Sequence, residues 1–369
     1  MFTRTWRHLF VPQFAVQDGP QDGKAPWRIV DGTKPTDRAD WLDGVYRNQT
    51  LITGLKNQPI PEELGGGTAQ VITSSSTLPS LMVSMLETLD VQDNHQVLEI
   101  GTGTGYNAAL LSARVGDRNV TSVDIEPALV DAARRRLADH GFHPYLTANN
   151  GDRGAPERAP YDRIIATCGV TRVPSAWIQQ TRPGGIILAN VSGPLMPGAL
   201  ARLTVTADGA AVGPFQPGFA AFMPLRDDPG SPSTPPPAPI LTDDGIETLS
   251  WLSPRLLHPI GGSRPWGFFV QVVLPGLHAR RVYLHDDDLG TKISAPDGSW
   301  ALVAHTPHNG CHRTIQGGPR RLWDFLETAR QQWAELGEPG WERFGLTATA
   351  DHHRIWLDTP DSEHRWPMA

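Results

Sequence analysis

The segment with the clearest chemical content is Val97-Leu98-Glu99-Ile100-Gly101-Thr102-Gly103-Thr104-Gly105-Tyr106-Asn107, an apolar run that enters a glycine-rich turn and leaves as a helix-forming sequence. Glycines belong at such a turn because the backbone must reverse sharply and let a ligand approach without interference from Cβ atoms. A phosphate loop would require Gly-Lys-Ser or Gly-Lys-Thr, which this segment lacks. The dinucleotide spacing G-x-G-x-x-G is also unmet, since Gly105 comes one position early. Asp124 follows about twenty residues after the turn, where an acidic side chain can accept hydrogen bonds from both hydroxyls of a ribose. Gly151-Asp152 comes after the next strand, near where an adenine edge would lie. Singly, the turn could be a tight strand–helix corner and Asp124 a cap for the helix opening at Pro127. In this order, without a phosphate-binding device, the three point to an adenosyl ligand carrying no pyrophosphate.

The elements that must position these residues follow from periodicity and punctuation. Strands are expected at Gln96–Ile100, Asn119–Val123, Tyr145–Ala148, Tyr161–Thr167 and Ile186–Asn190, the last entered through Pro183-Gly184-Gly185. Between them, Tyr106–Arg114 reads as a helix. So does the stretch opening at Pro127, whose Leu129, Val130, Ala133 and Leu137 share a face and which stops at Gly141. Alternation of this kind predicts an α/β, doubly wound, mostly parallel sheet. A proline-rich run, RDDPGSPSTPPPAP from Arg226 to Pro239, predicts a linker over residues 226–240 between a domain at 1–225 and a smaller α+β domain at 241–369. In that smaller domain, Trp266–Leu274, Ala279–Leu284, Arg343–Thr349 and Arg354–Leu357 read as strands and Arg320–Leu336 as a helix. Trp251, Trp266 and Trp323 are expected to form a core of their own.

Composition narrows the classes. A chain of 369 residues, 39% hydrophobic, has enough apolar material for two domains, and 37 glycines with 34 prolines argue against a helical bundle. A net charge of -7 argues against a nucleic-acid partner, and the basic run Arg134-Arg135-Arg136 falls on a predicted helix as a solvated face. Two cysteines, Cys168 and Cys311, make neither a disulfide framework nor a four-cysteine metal site. Cys168 is expected to line a pocket. His285-Asp286-Asp287-Asp288 and His352-His353 lack a complete metal-ligand pattern, so no metal is expected. Met1–Phe10 has no apolar core of signal-peptide length, and no run approaches a membrane span, so a reducing, cytoplasmic setting is expected.

From about Leu9 to Val191 the sequence resembles the protein-L-isoaspartyl O-methyltransferase family. The resemblance is carried by Leu9-Phe10-Val11-Pro12, Trp41-Leu42-Asp43-Gly44-Val45-Tyr46, the glycine turn, Pro160-Tyr161-Asp162-Arg163-Ile164-Ile165-Ala166-Thr167 and Arg182-Pro183-Gly184-Gly185. It implies a Rossmann-like class I methyltransferase with S-adenosyl-L-methionine as cofactor and S-adenosyl-L-homocysteine as product. Cofactor contacts would then fall on Glu99, Gly101, Thr102, Gly103, Asn107, Asp124, Ile125, Asp152 and Thr167. The family's active-site hydroxyl, two residues before a proline, maps onto Thr77 in Thr73-Ser74-Ser75-Ser76-Thr77-Leu78-Pro79. Family members usually carry serine there, so the extra methyl of Thr77 and the apolar Leu78 bear on substrate fit. Thr77 and Ser76 are the candidate catalytic residues, and Ser75, Thr77 and Val170 the candidate substrate contacts.

The implied reaction requires little of the protein's own acids and bases. A carboxylate with a pKa near 4 is already ionised at neutral pH, so no general base is needed and none is evident. Alignment within a partly dried pocket would supply the catalysis, with neutral hydroxyls aiming one carboxylate oxygen without blunting it. The partner is expected to be a peptide or protein bearing Asp or isoAsp. The region after the proline-rich run resembles that of a branch whose members methylate Asp in ribosomally made peptides, giving aspartimide after loss of methanol. That reading is preferred here to isoaspartate repair. A third reading is an adaptor that binds cofactor or peptide without turnover.

Overall fold

A computed structural model of the chain describes residues 3–17, 26–59, 67–196, 198–226, 245–257, 263–284 and 289–368. They form two compact units, Met1–Cys168 with Gln179–Leu188, and Gly169–Ile178 with Ala189–Ala369.

The first unit opens with an antiparallel sheet in the order β2-β1-β3-β4, built from β1 (Gln13–Gln17), β2 (Trp27–Asp31), β3 (Leu51–Pro59) and β4 (Thr68–Ser76). Helix α1 (Arg38–Tyr46) supplies Trp41 and Val45 to a cluster with Val11, Phe14, Val30 and Leu51, and the Trp41 indole donates to the Val11 carbonyl at 2.8 Å. The two N-terminal segments that carry the family resemblance therefore meet in one small core. Pro79 then opens helix α2 (Pro79–Leu89), which buries Met82, Met85, Leu86 and Leu89, the spacing of a single helical face.

The expected alternation of strands and helices follows: β5 (Val97–Ile100), α3 (Tyr106–Val115), β6 (Val120–Asp124), α4 (Pro127–Asp139), β7 (Tyr145–Ala148), β8 (Tyr161–Val170) and β9 (Thr181–Val191), residues 169–170 and 189–191 being counted with the second unit. Every residue of β5 and β6 is buried, so neither shows the burial alternation of a half-exposed strand. The strand order is β9-β8-β5-β6-β7, with β5 parallel to both β6 and β8. The chain thus winds outward through β6 and β7 and returns to the other flank of β5. Such a reversal leaves a crevice at the carboxyl ends of the central strands, where the glycine turn and Asp124 lie.

In the second unit, after α5 (Ser175–Gln180), come β10 (Ala199–Val205), β11 (Ala211–Pro214), β12 (Ile246–Ser250), α6 (Arg264–Val273) and β13 (His278–Tyr283). They are followed by β14 (Leu289–Ser294), β15 (Trp300–His308), β16 (Cys311–Gly317), α7 (Leu322–Glu335), β17 (Phe344–Ala348), β18 (His353–Leu357) and β19 (Arg365–Pro367). The strands align as β19-β18-β17-β11-β10 and as β12-β16-β15-β14-β13.

Three sequence expectations change here. The units do not divide at the proline-rich run: β11, which precedes it, pairs antiparallel with β17, and the Phe215 ring packs edge-on against Phe268 at 5.1 Å. Apart from Arg226, residues 226–240 lie outside the described residues. Trp266–Leu274, expected as a strand, is helix α6, started by Ser263, whose hydroxyl accepts from the Trp266 N–H, and by a proline in the first turn. Its residues Trp266 to Val270 are all buried, and an unbroken apolar run of this length reads equally as a buried strand. Trp266 and Trp323 are core residues, whereas Trp251 is 52% exposed. Among the described residues no helix is long and apolar enough to cross a membrane.

Candidate active site

The glycine turn leaves β5 with Gly101 at φ +100° and Gly103 at φ +50°, the left-handed region that glycine occupies without strain. A Cβ at Gly101 would lie 2.6 Å from Thr167 Oγ1, so the turn can only lie this close to β8 because that position is a glycine. The Thr167 hydroxyl donates to the carbonyls of Ile100 and Gly101 at 3.1 and 2.9 Å, pinning the end of β5 to β8. From the other side Arg136, on α4, donates to the Thr104 carbonyl at 3.4 Å. This is one member of the basic run read from sequence as a solvated face; Arg134 and Arg135 are exposed.

Behind the turn lies a buried polar network. Glu99 is fully buried, accepting from Asn107 Nδ2 at 2.8 Å and from the Ser122 hydroxyl at 2.6 Å, and Ser122 in turn meets the Thr102 hydroxyl at 2.7 Å. Burial pushes the Glu99 carboxyl up to about 7, the two donors opposing the rise and nearby Asp124 adding to it. Of the expected cofactor contacts, Glu99 and Thr102 therefore sit inside the wall, holding the side chains around them. Asn107 is oriented by Glu99 while its Oδ1 is buried without a partner among the described residues.

Asp124 ends β6 with one carboxylate oxygen accepting from the Gly103 N–H at 2.9 Å and the other from the Glu126 N–H at 3.1 Å. The capping role that the sequence offered for Asp124 is present in its bond to the Glu126 N–H. Ile125 is half-buried beside it. Asp152 lies in a short 3-10 turn capped by Asn150, whose side chain accepts the Asp152 N–H at 3.2 Å, and Asp152 Oδ1 is buried without a partner among the described residues. Two orphaned acceptors and a glycine cradle fit a ligand that brings donors, as an aminocarboxyl nucleoside does.

The hydroxyl run Thr73–Thr77 is not a loop through most of its length: it is the end of β4, so alternate residues face opposite ways. Ser74 and Ser76 are buried, with Ser74 accepting from the Thr53 hydroxyl at 3.0 Å and Ser76 accepting from Arg7 Nε at 3.2 Å. Thr77 is half-buried, and its hydroxyl makes no hydrogen bond among the described residues. The strand thus separates the two candidate catalytic residues, since Ser76 is committed to the interior and Thr77 is available. A Cβ built at Gly103 would lie 3.6 Å from the Ser75 carbonyl and 3.9 Å from the Ser74 hydroxyl, which places this segment directly against the glycine turn.

Val170, expected at the substrate, is fully buried in the second unit, its carbonyl accepting from the Ser192 N–H at 2.8 Å, and offers no surface to a ligand. Cys168 is partly buried. His352 is exposed, and His353 is 6% exposed with Nε2 3.1 Å from both the N–H and the carbonyl of Val173, which fixes the His353 ring against that backbone. His285–Asp288 lie outside the described residues. A residue that the sequence did not single out is Arg7, which is 3% exposed and bonded to the backbone at Ser76 and Thr77. No local signal marks it, because its partners are about seventy positions away.

Fold and site together define a class I methyltransferase, a Rossmann-like sheet with its glycine turn and acidic strand end. The chain belongs to the protein-L-isoaspartate(D-aspartate) O-methyltransferase family, whose model matches residues 25–214. It is 32% identical over 202 residues to the protein-L-isoaspartate O-methyltransferase of Ignicoccus hospitalis, covering 50% of this chain and 93% of that one. The enzyme of that name from Methanosarcina mazei is 37% identical over 134 residues, 36% of this chain, so the chain spans about half (53%) of that relative's length. The Thermococcus onnurineus protein is 33% identical over 176 residues, with 47% and 76% covered. A solved protein-L-isoaspartate O-methyltransferase is similar at a TM-score of 0.48 and 22% identity, over 86% of this chain and 89% of that one.

Proposed function

We propose that this protein transfers the methyl group of S-adenosyl-L-methionine to the side-chain carboxylate of an aspartate-type residue in a peptide or protein. The observation that carries the proposal is the placement of an uncommitted hydroxyl, Thr77, at the end of a strand that lies against the Gly101–Gly103 turn. When bound, the cofactor supplies an electrophilic methyl group on a sulfonium centre. Asp124 would hold the ribose, Asp152 the adenine edge and Asn107 the amino-acid end, with the turn passing beneath. Thr77 donates one hydrogen bond to the acceptor carboxylate, fixing which oxygen faces the methyl group. The acceptor is ionised at neutral pH, so no residue has to remove a proton. Product release leaves a methyl ester and S-adenosyl-L-homocysteine.

The names of the relatives support isoaspartyl side chains as acceptors. The second reading, Asp of a constrained peptide going on to aspartimide, draws on the chain beyond residue 240 and the resemblance to peptide-modifying relatives. Methylation turns a poor leaving group into methoxide, and a neighbouring amide nitrogen can then close the ring. The test is methyl transfer from labelled S-adenosyl-L-methionine to three matched peptides: isoaspartyl, linear Asp and constrained Asp. Label on the isoaspartyl peptide alone establishes the first reading. Label on constrained Asp, followed in the mass spectrum by loss of methanol after the enzyme is removed, establishes the second. No transfer to any of the three, with cofactor binding intact, would leave a binding protein on a methyltransferase fold. A cytoplasmic setting is part of the proposal.

A further inference from the structure

Arg7 is 3% exposed, and its guanidinium is spread over backbone carbonyls rather than matched to an acid. Nη2 donates to the carbonyls of Ser76 at 2.9 Å, Thr77 at 3.0 Å and Gln49 at 3.1 Å. Nη1 donates to Val45 and Arg47 at 3.1 and 3.5 Å, and Nε to the Ser76 hydroxyl. No carboxylate of the described residues lies within ion-pair distance of it. Burying an unpaired cation is costly, and hydrogen bonds alone offset the loss of water here. Burial accordingly lowers its pKa to about 10, which leaves it charged at neutral pH. A fold that needed only to fasten the N-terminus to α1 could do so with an apolar side chain. What a planar fork adds is a fixed angle between several acceptors at once.

We infer that Arg7 is a positioning residue for methyl transfer: by gripping the carbonyls of Ser76 and Thr77 against the end of α1, it sets the direction in which the Thr77 hydroxyl meets the acceptor. The inference rests on the reading of Thr77 as the acceptor-binding hydroxyl. Orientation of a single donor matters because misplacing a reacting group by about 1 Å can cost on the order of a hundredfold in rate.

The experiment is a double-substitution cycle of Arg7→Lys and Thr77→Val, measured with a methyl-accepting peptide, with S-adenosyl-L-homocysteine affinity and thermal midpoint recorded for each variant. Lysine keeps the charge and loses the fork. Arg7→Lys should lower kcat about tenfold or more with KM for the peptide moved less than threefold and cofactor-product affinity unchanged. In the Thr77→Val background the same substitution should cost less than twofold, since the hydroxyl it aims is gone. A full, independent loss in that background would overturn the inference, as would an active Arg7→Lys enzyme beside a damaged Thr77→Val one. A silent Thr77→Val sinks the reading of Thr77 itself, whatever Arg7 does. Should Arg7→Lys prove too unstable to assay, Arg7→Ala supplemented with methylguanidinium decides the matter: kcat restored by the guanidinium and not by methylammonium supports the fork, and equal restoration by both refutes it.

Discussion

The Asp124 carboxylate accepts the backbone N–H of Gly103 at 2.9 Å, so the acid that would read the ribose also shapes the turn that would carry the rest of the cofactor. Removing it therefore has two effects. Asp124→Ala should weaken S-adenosyl-L-methionine binding by at least tenfold, because charge-assisted hydrogen bonds of roughly 1.5–3 kcal/mol each are lost. Asp124→Asn keeps one oxygen acceptor and should lose less. Calorimetric affinities for both folded variants within twofold of the parent would take Asp124 out of the site.

Thr77→Val retains the shape of the side chain without its hydroxyl. Turnover should fall roughly tenfold, the range of a single well-placed hydrogen bond, while S-adenosyl-L-homocysteine affinity stays within a few-fold. Thr77→Ser should remain active. Ser76→Ala, by contrast, removes an acceptor of Arg7 and should show in the thermal midpoint before it shows in the rate. A valine variant with full activity would shift the role to Ser75.

Two buried groups give the fold opposite dependences on pH. His353, lowered to about 4 mainly by burial, stays neutral when folded while an unfolded histidine protonates near 6.5. Stability from this residue is present above 6.5 and declines as pH falls towards 4. Glu99, raised to about 7, keeps its proton when folded after an unfolded carboxyl has lost its own near 4.5, so stability declines as pH rises between those values. The latter corresponds to at most about 3 kcal/mol. Because the two windows overlap, their slopes largely cancel in the parent; Glu99→Gln should expose a loss of stability on acidification and His353→Gln a loss on raising the pH, in denaturant titrations across pH 4–8. Unchanged profiles would mean that neither group titrates as its surroundings imply.

A chain ending at Leu225 would lose the partner of β11 and leave Phe215, 1% exposed in the intact protein, without the Phe268 and Phe344 it packs beside. It should aggregate or lose cooperative unfolding, visible by size-exclusion chromatography and calorimetry. A monomer with a midpoint within a few degrees of the parent would restore the proline-rich run as a domain boundary.

The sequence by itself determined the strands and helices from Val97 to Ala148 and the placing of the glycine turn, Asp124 and Asp152 at strand ends, because those depend on neighbours close along the chain: apolar runs, glycines, a proline at a helix start. It also singled out the Thr73–Thr77 hydroxyls, but not which of them is free. That was decided by the tertiary structure, through the two-residue alternation of β4, which turns Ser74 and Ser76 inward, and through Arg7, whose grip on Ser76 and Thr77 joins positions about seventy residues apart. The same holds for α6, whose continuous buried run Trp266 to Val270 reads equally as a strand, and for β11 with β17, paired across more than a hundred residues. Local patterns record what a residue's neighbours require of it. Which buried groups meet depends on how the chain closes, and only the folded arrangement fixes that.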